Sequence, residues 1–144
     1  MINGQVLDTL GGFHPTESDR EKLHRIHENK TGALIVGSCR MGALSGGATP
    51  EQLAALTRWG KIMGLMFQII DDLLDETASA EQIGKAVGKD REAGKLTFPG
   101  VLGIEESRRE VAKLDAEART IIRELGSAAA PLQNIADFLA TRTH

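Results

Sequence analysis

Asp71, Asp72 and Asp75 close a stretch that is otherwise apolar almost all the way round, with Trp59, Ile62, Met63, Leu65, Met66, Phe67, Ile69, Ile70, Leu73 and Leu74 leading up to and between them. A helix that apolar is expected to be buried. An unpaired ionised carboxylate taken out of water costs several kcal/mol, so the three acids need a cation, a proton or a basic partner. On a helix Asp71 and Asp75 stand at i,i+4, Asp72 and Asp75 at i,i+3, and Gln68 lies one turn before Asp71 and Asp72, which makes one polar stripe. Like charges one turn apart repel, and a hard divalent cation removes the conflict. Mg²⁺ fits: it takes oxygen ligands, uses one or two protein carboxylates, and completes its octahedron with water and phosphate oxygens. The alternative is an acidic helix end facing solvent before Ala78-Ser79-Ala80, an arrangement that opposes the helix macrodipole.

Two further clusters carry the opposite charge. Gly84-Lys85-Ala86-Val87-Gly88-Lys89-Asp90-Arg91-Glu92-Ala93-Gly94-Lys95 follows the acids directly. Glycine lets a backbone approach an anion, and lysine ammoniums neutralise phosphate oxygens as movable point charges. Alone the loop reads equally well as a solvated surface segment; next to the carboxylates it supplies the anion-binding half of a metal-diphosphate site. Upstream, His27-Glu28-Asn29-Lys30-Thr31 puts Lys30 and Thr31 at a predicted helix start, where free backbone N–H groups favour an anion. Read alone, Lys30 is a surface lysine and Thr31 an N-cap.

The elements needed to position these groups are helices. Ser18-Asp19-Arg20-Glu21 is a capping-box pattern opening a helix to about Glu28. A second helix is expected from about Lys30 to Leu44, its small residues Gly32, Ala33, Gly37, Ser38, Gly42 and Ala43 allowing close approach. Thr49-Pro50-Glu51-Gln52 starts a long helix to about Glu76. A loop over about 78–95 and a turn through Phe98 and Pro99 then lead to a helix from about Ile104 to Leu125. Pro131 opens the last one, to about Thr141, with Leu132, Ile135, Phe138 and Leu139 on its packing face. With 144 residues, 41% hydrophobic, 3% aromatic and no tyrosine, the chain suits a single all-α domain, residues 1–144. A net charge of −3 argues against nonspecific nucleic-acid binding. Cys39 is the only cysteine, which excludes a disulfide framework and a thiolate metal site and points to a reducing cytoplasm. No run approaches the ~20 apolar residues of a transmembrane helix, and no signal-peptide pattern opens the chain.

Together the clusters resemble the trans-type polyprenyl diphosphate synthases, the family of farnesyl and geranylgeranyl diphosphate synthases. The resemblance rests on His27-Glu28-Asn29-Lys30-Thr31, on Phe67-Gln68-Ile69-Ile70-Asp71-Asp72-Leu73-Leu74-Asp75, on Gly84-Lys85, Gly88-Lys89-Asp90 and Gly94-Lys95, and on the stretch from Leu96 to Glu105. It implies an all-α bundle of the isoprenoid synthase type, truncated to its C-terminal helices. It implies prenyl transfer: an allylic diphosphate ionises and isopentenyl diphosphate attacks through its double bond. By the same resemblance Asp71 ligates Mg²⁺, Asp72 and Asp75 support the metal's waters or nearby ligands, Lys30, Lys85 and Lys95 hold the allylic diphosphate, and Thr31 and Gln68 flank the carbocation. Lys89, Asp90 and His27 are expected in supporting roles.

The family's earlier aspartate-rich motif, its arginine pair and its isopentenyl diphosphate contacts have no counterpart here, and Arg108-Arg109 cannot replace them. The resemblance therefore implies an incomplete prenyltransferase, and self-association or pairing with an N-terminal-half chain to cover the exposed helix faces. The alternatives are a non-catalytic subunit or Mg-diphosphate-binding module that pairs with a catalytic partner, and a helical bundle that keeps the motif without binding.

Overall fold

The computed structural model of the chain describes residues 2–81 and 95–142, and the described residues contain helices and turns but no strand. The helices are α1 (Ile2–Leu10), α2 (Asp19–His27), α3 (Ala33–Ser45), α4 (Pro50–Glu81), α5 (Phe98–Leu102), α6 (Ile104–Leu125) and α7 (Ala130–Thr141). A π-helical segment, Glu28–Gly32, joins α2 to α3, and a 3₁₀ turn, Ser127–Ala129, precedes α7.

The predicted caps form. Ser18 Oγ accepts from Glu21 N–H while Glu21 Oε2 accepts from Ser18 N–H at 2.8 Å. Gln52 Oε1 accepts from Thr49 N–H at 3.0 Å, and Thr49 Oγ1 accepts from Gln52 N–H at 3.3 Å. Pro131 sits in the first turn of α7, where its missing N–H costs nothing.

α4 is the axis of the molecule. It packs on α3 along one side and on α6 along another, with α2, α5 and α7 closing round it. Its buried residues Trp59, Ile62, Met63, Met66, Ile69 and Ile70 form one core with Leu23, Phe98, Leu114, Ala118, Ile121, Ile122 and Leu139. On α6 the buried set Leu114, Ala118, Ile121 and Ile122 recurs every three to four residues, the stripe of an amphipathic helix.

The α3–α4 contact is set by missing side chains. A methyl on Gly64 would stand 2.8 Å from Gly32 Cα, and one on Gly60 would stand 3.1 Å from Cys39 Sγ. α1 docks the same way: a methyl on Gly4 would collide with the backbone of Asn29 and Lys30. The other small residues expected at the helix approach do less. Gly37 and Gly42 face open space, and Ala33 and Ser38 are exposed.

Residues 2–10, which carry no capping signal, form α1, and three expectations change. The second helix does not begin at Lys30; the backbone runs from α2 through the π segment into α3, because no breaker interrupts Glu28–Thr31 and Gly32 fits the Gly64 contact. α4 continues five residues past Glu76, through helix-compatible Thr77-Ala78-Ser79-Ala80-Glu81. On α7 the packing face is Leu132, Ala136 and Leu139, while Ile135 and Phe138 are exposed. No helix among the described residues is long and apolar enough to cross a membrane.

Candidate functional site

The polar stripe of α4 is anchored at its lower end by Gln68. Gln68 is buried, and its Oε1 lies 2.8 Å from His27 Nδ1. An amide oxygen only accepts, so His27 carries its proton on Nδ1, and its buried Nε2 is a bare lone pair with no partner among the described residues. The His27 ring stacks on Phe98 at 5.3 Å, and His24 meets the same ring edge-on at 5.6 Å. Two contacts therefore bind the His27–Gly32 region to α4: His27 with Gln68, and Gly32 with Gly64 one turn below. That pairing brings Lys30 and Thr31 alongside the Gly64–Gln68 stretch. They sit inside the π segment rather than at a free helix start. π segments are common at functional sites because they redirect side chains that a regular helix would space differently.

The charged candidates among the described residues have these positions and partners. Lys30 Nζ pairs with Asp8 Oδ2 of α1 at 2.7 Å. Asp71 Oδ1 lies 3.4 Å from Arg142 Nη2, and that guanidinium also rests over the Phe67 ring at 5.2 Å. Asp72 Oδ2 accepts from Phe98 N–H at 2.8 Å, at the start of α5. Asp75 is exposed, as is Lys95. Lys85, Lys89 and Asp90 lie outside the described residues. The premise of three buried acids is corrected: Asp71 and Asp72 are half-buried, because the apolar sleeve of α4 opens at Leu73 and Leu74. Among the described residues no three His, Cys, Asp or Glu side chains are placed to share one metal ion. The donor chemistry still suits Mg²⁺, which needs only one or two carboxylates from the protein, and the Arg142 guanidinium shows that the space beside Asp71 accepts a cation.

Sequence reasoning assigned no partner to Lys30, Asp71 or Gln68, because Asp8, Arg142 and His27 are distant along the chain and carry no spacing signal. Nor does the cavity of about 320 Å³ lined chiefly by Gly32, Val36, Ile62, Leu65 and Leu114 include any of the three aspartates.

Burial pushes the His27 imidazole down to about 4, against the smaller opposing effects of the Gln68 hydrogen bond and Asp8; Lys30 and His24 add to the lowering. His24 is lowered too, first by burial and then by Arg20. Between the ordinary histidine value and about 4 the unfolded chain binds the His27 proton and the folded chain does not, so stability is complete above the upper bound and lost as pH falls through the window. The chain is expected to lose about 2 kcal/mol from His27 between pH 7 and pH 4.5. Urea midpoints across that range measure it. His27→Gln should flatten the slope, and an equally steep slope in that variant would assign it to other groups.

Comparison with known proteins places this arrangement. The sequence profile of the polyprenyl synthetases matches residues 1–130. The chain is 44% identical to a dimethylallyltranstransferase of Fischerella ambigua over all of this chain and 41% of that protein. It is 39% identical to geranylgeranyl pyrophosphate synthase 4 of Arabidopsis thaliana over all of this chain and 39% of that protein. Among solved structures, a geranyltransferase of Helicobacter pylori complexed with magnesium and isoprenyl diphosphate superposes with a TM-score of 0.71 at 34% identity, over 96% of this chain and 45% of that one. The chain thus spans about two fifths of the length of the curated relatives it matches.

Proposed function

Because this chain belongs to the polyprenyl synthetase family, we propose that it forms the C-terminal half of a prenyltransferase site of isoprenoid biosynthesis, one that condenses an allylic diphosphate with isopentenyl diphosphate. The observation that carries this reading is the docking of the Lys30–Thr31 segment against the Gly64–Gln68 turn of α4, one turn before Asp71, through His27–Gln68 and Gly32–Gly64. It sets Lys30, Thr31 and Gln68 on neighbouring elements, with Asp71 one turn further along α4. Asp71 is the carboxylate proposed to ligate Mg²⁺, with Asp75 beside it on the row; the ion would supply charge compensation for the departing diphosphate. Lys30, Lys95 and Lys85 would offer their ammoniums to the diphosphate oxygens, and Thr31 and Gln68 would flank the developing allylic cation. The magnesium and isoprenyl diphosphate of the Helicobacter pylori structure support this assignment.

The domain reading is a single unit over residues 1–144 that completes its site with the N-terminal part of the family fold. Exposed Ile2, Val6, Leu10, Leu34, Met41, Leu44 and Phe138 support pairing, either with such a part or with a second copy. A relative named as the large subunit of a heterodimeric geranylgeranyl pyrophosphate synthase, from Arabidopsis thaliana and 38% identical, supports it as well. For Cys39, half-buried and with its thiol pushed up by burial, the reading remains a reducing, cytoplasmic setting.

A second reading, a diphosphate-binding module without catalysis, is favoured by the closure of Asp71 on Arg142. Calorimetry of geranyl diphosphate with and without Mg²⁺ tests both: metal-dependent binding is expected, and no binding at millimolar ligand would overturn both for this chain. Product formation from geranyl and isopentenyl diphosphates, with the N-terminal half supplied, then distinguishes catalysis from binding alone.

A further inference from the structure

Asp71 and Asp72 are neighbours in sequence, but adjacent positions on a helix point about 100° apart. The structure gives them different surroundings. Asp71 turns to the Arg142 guanidinium of the C-terminal segment. Asp72 turns to backbone: its Oδ2 accepts from Phe98 N–H at 2.8 Å. Phe98 is the first residue of α5, and its N–H is one of the groups a helix start leaves unpaired. Thr97 takes the next available donor, accepting from Gly100 N–H at 3.2 Å. Asp72 is therefore a cap supplied from another helix.

The contacts continue into a closed circuit. The fully buried Phe98 ring stacks on His27, His27 donates to Gln68, and Gln68 stands one turn before Asp72 on α4. Starting at α4, the path runs through Asp72, Phe98, His27 and Gln68 back to α4, and each step is a hydrogen bond or a ring contact that needs no metal ion. A carboxylate hydrogen bond to a backbone N–H is charge-assisted and stronger than a neutral one. It fixes the point where the chain re-enters the core. Lys95 is three residues before Phe98, so its Cα lies within about 11 Å of the anchored residue.

We propose that Asp72 is a positioning residue: it holds the start of α5, and the chain that leads into it from Lys95, against α4, while Asp71 is the carboxylate that faces the cation. This division of labour rests on the diphosphate-site reading above for its functional half. The anchoring half stands on geometry alone.

Asparagine separates the roles, because its amide oxygen still accepts from Phe98 N–H while its charge is gone. In Asp72→Asn the Phe98 amide should keep its hydrogen-exchange protection, measured by NMR on the whole chain, and Mg²⁺-dependent binding of inorganic pyrophosphate should stay within about fivefold of the parent. In Asp72→Ala protection should fall about tenfold or more, with pyrophosphate binding weakened alongside it. Asp71→Asn should lose binding with Phe98 protection intact. If Asp72→Asn instead loses binding as fully as Asp71→Asn while Phe98 stays protected, Asp72 is a cation ligand and the proposal is overturned. If the parent binds no pyrophosphate, the site reading fails by itself. The exchange arm still decides the anchor, since loss of Phe98 protection in Asp72→Asn would refute it.

Discussion

Phe98→Ala is expected to destabilise the chain by about 3–5 kcal/mol, a large share of the ~5–15 kcal/mol that holds a typical domain together. The ring is fully buried and is shared by three helices: it leads α5, lies face-on to His27 and edge-on to His24 of α2, and belongs to the α4–α6 core. Truncation removes transfer energy and leaves a cavity that these helices cannot all close, because α2 is fixed by its π connection and α4 by Gly64 against Gly32. Phe98→Leu keeps most of the volume and loses mainly the ring contacts, so it should cost about 1.5 kcal/mol or less. Urea unfolding followed by circular dichroism compares the two. Equal midpoints would mean that Phe98 is not the residue joining α2, α4 and α5.

Asp71→Ala is the opposite kind of variant. Its ion pair with Arg142 is partly exposed at 3.4 Å, and pairs of that kind contribute about 0–1 kcal/mol, so the urea midpoint should hardly move. Mg²⁺-dependent allylic diphosphate binding should fall by more than about 100-fold, since even groups one step removed from a metal ligand cost 10–100-fold in metal affinity. Arg142→Gln is the counter-test. It removes the guanidinium that occupies the carboxylate, so the affinity for Mg²⁺ should rise. Titrations of both variants measure this, and unchanged binding in Asp71→Ala would show that the stripe is not the cation site.

The parts of the fold readable from sequence were those governed by local chemistry. Ser18 with Glu21, Thr49 with Gln52 and Pro131 announce helix starts because the signal and its hydrogen-bond partners lie within one turn. α1 was not readable for the converse reason: it docks through Gly4 on a backbone 25 residues away, and Leu7 is buried while Ile2, Val6 and Leu10 face outward, so it presents no cap and only a single inward apolar side chain. The π segment likewise has no signature, since it is dictated by what Gly32 and His27 touch on α4. At the site, residue types were legible and pairings were not. The Asp71, Asp72 and Asp75 row and Gln68 follow from helical spacing. That one acid caps α5, that another closes on Arg142, and that Gln68 is held by a neutral histidine all depend on long-range packing.

The pairing of Lys30 with Asp8 makes α1 a competitor for whatever anion Lys30 attracts. An incoming phosphate does not meet a free ammonium; it must exchange with a carboxylate already in place, so the measured affinity is the difference between two pairings. By reciprocity, anything that loosens α1 strengthens the anion, and the anion loosens α1. If Lys30 takes the diphosphate as proposed, the nine residues of α1 would read out, through one exchanged ion pair, whether the lysine has been claimed.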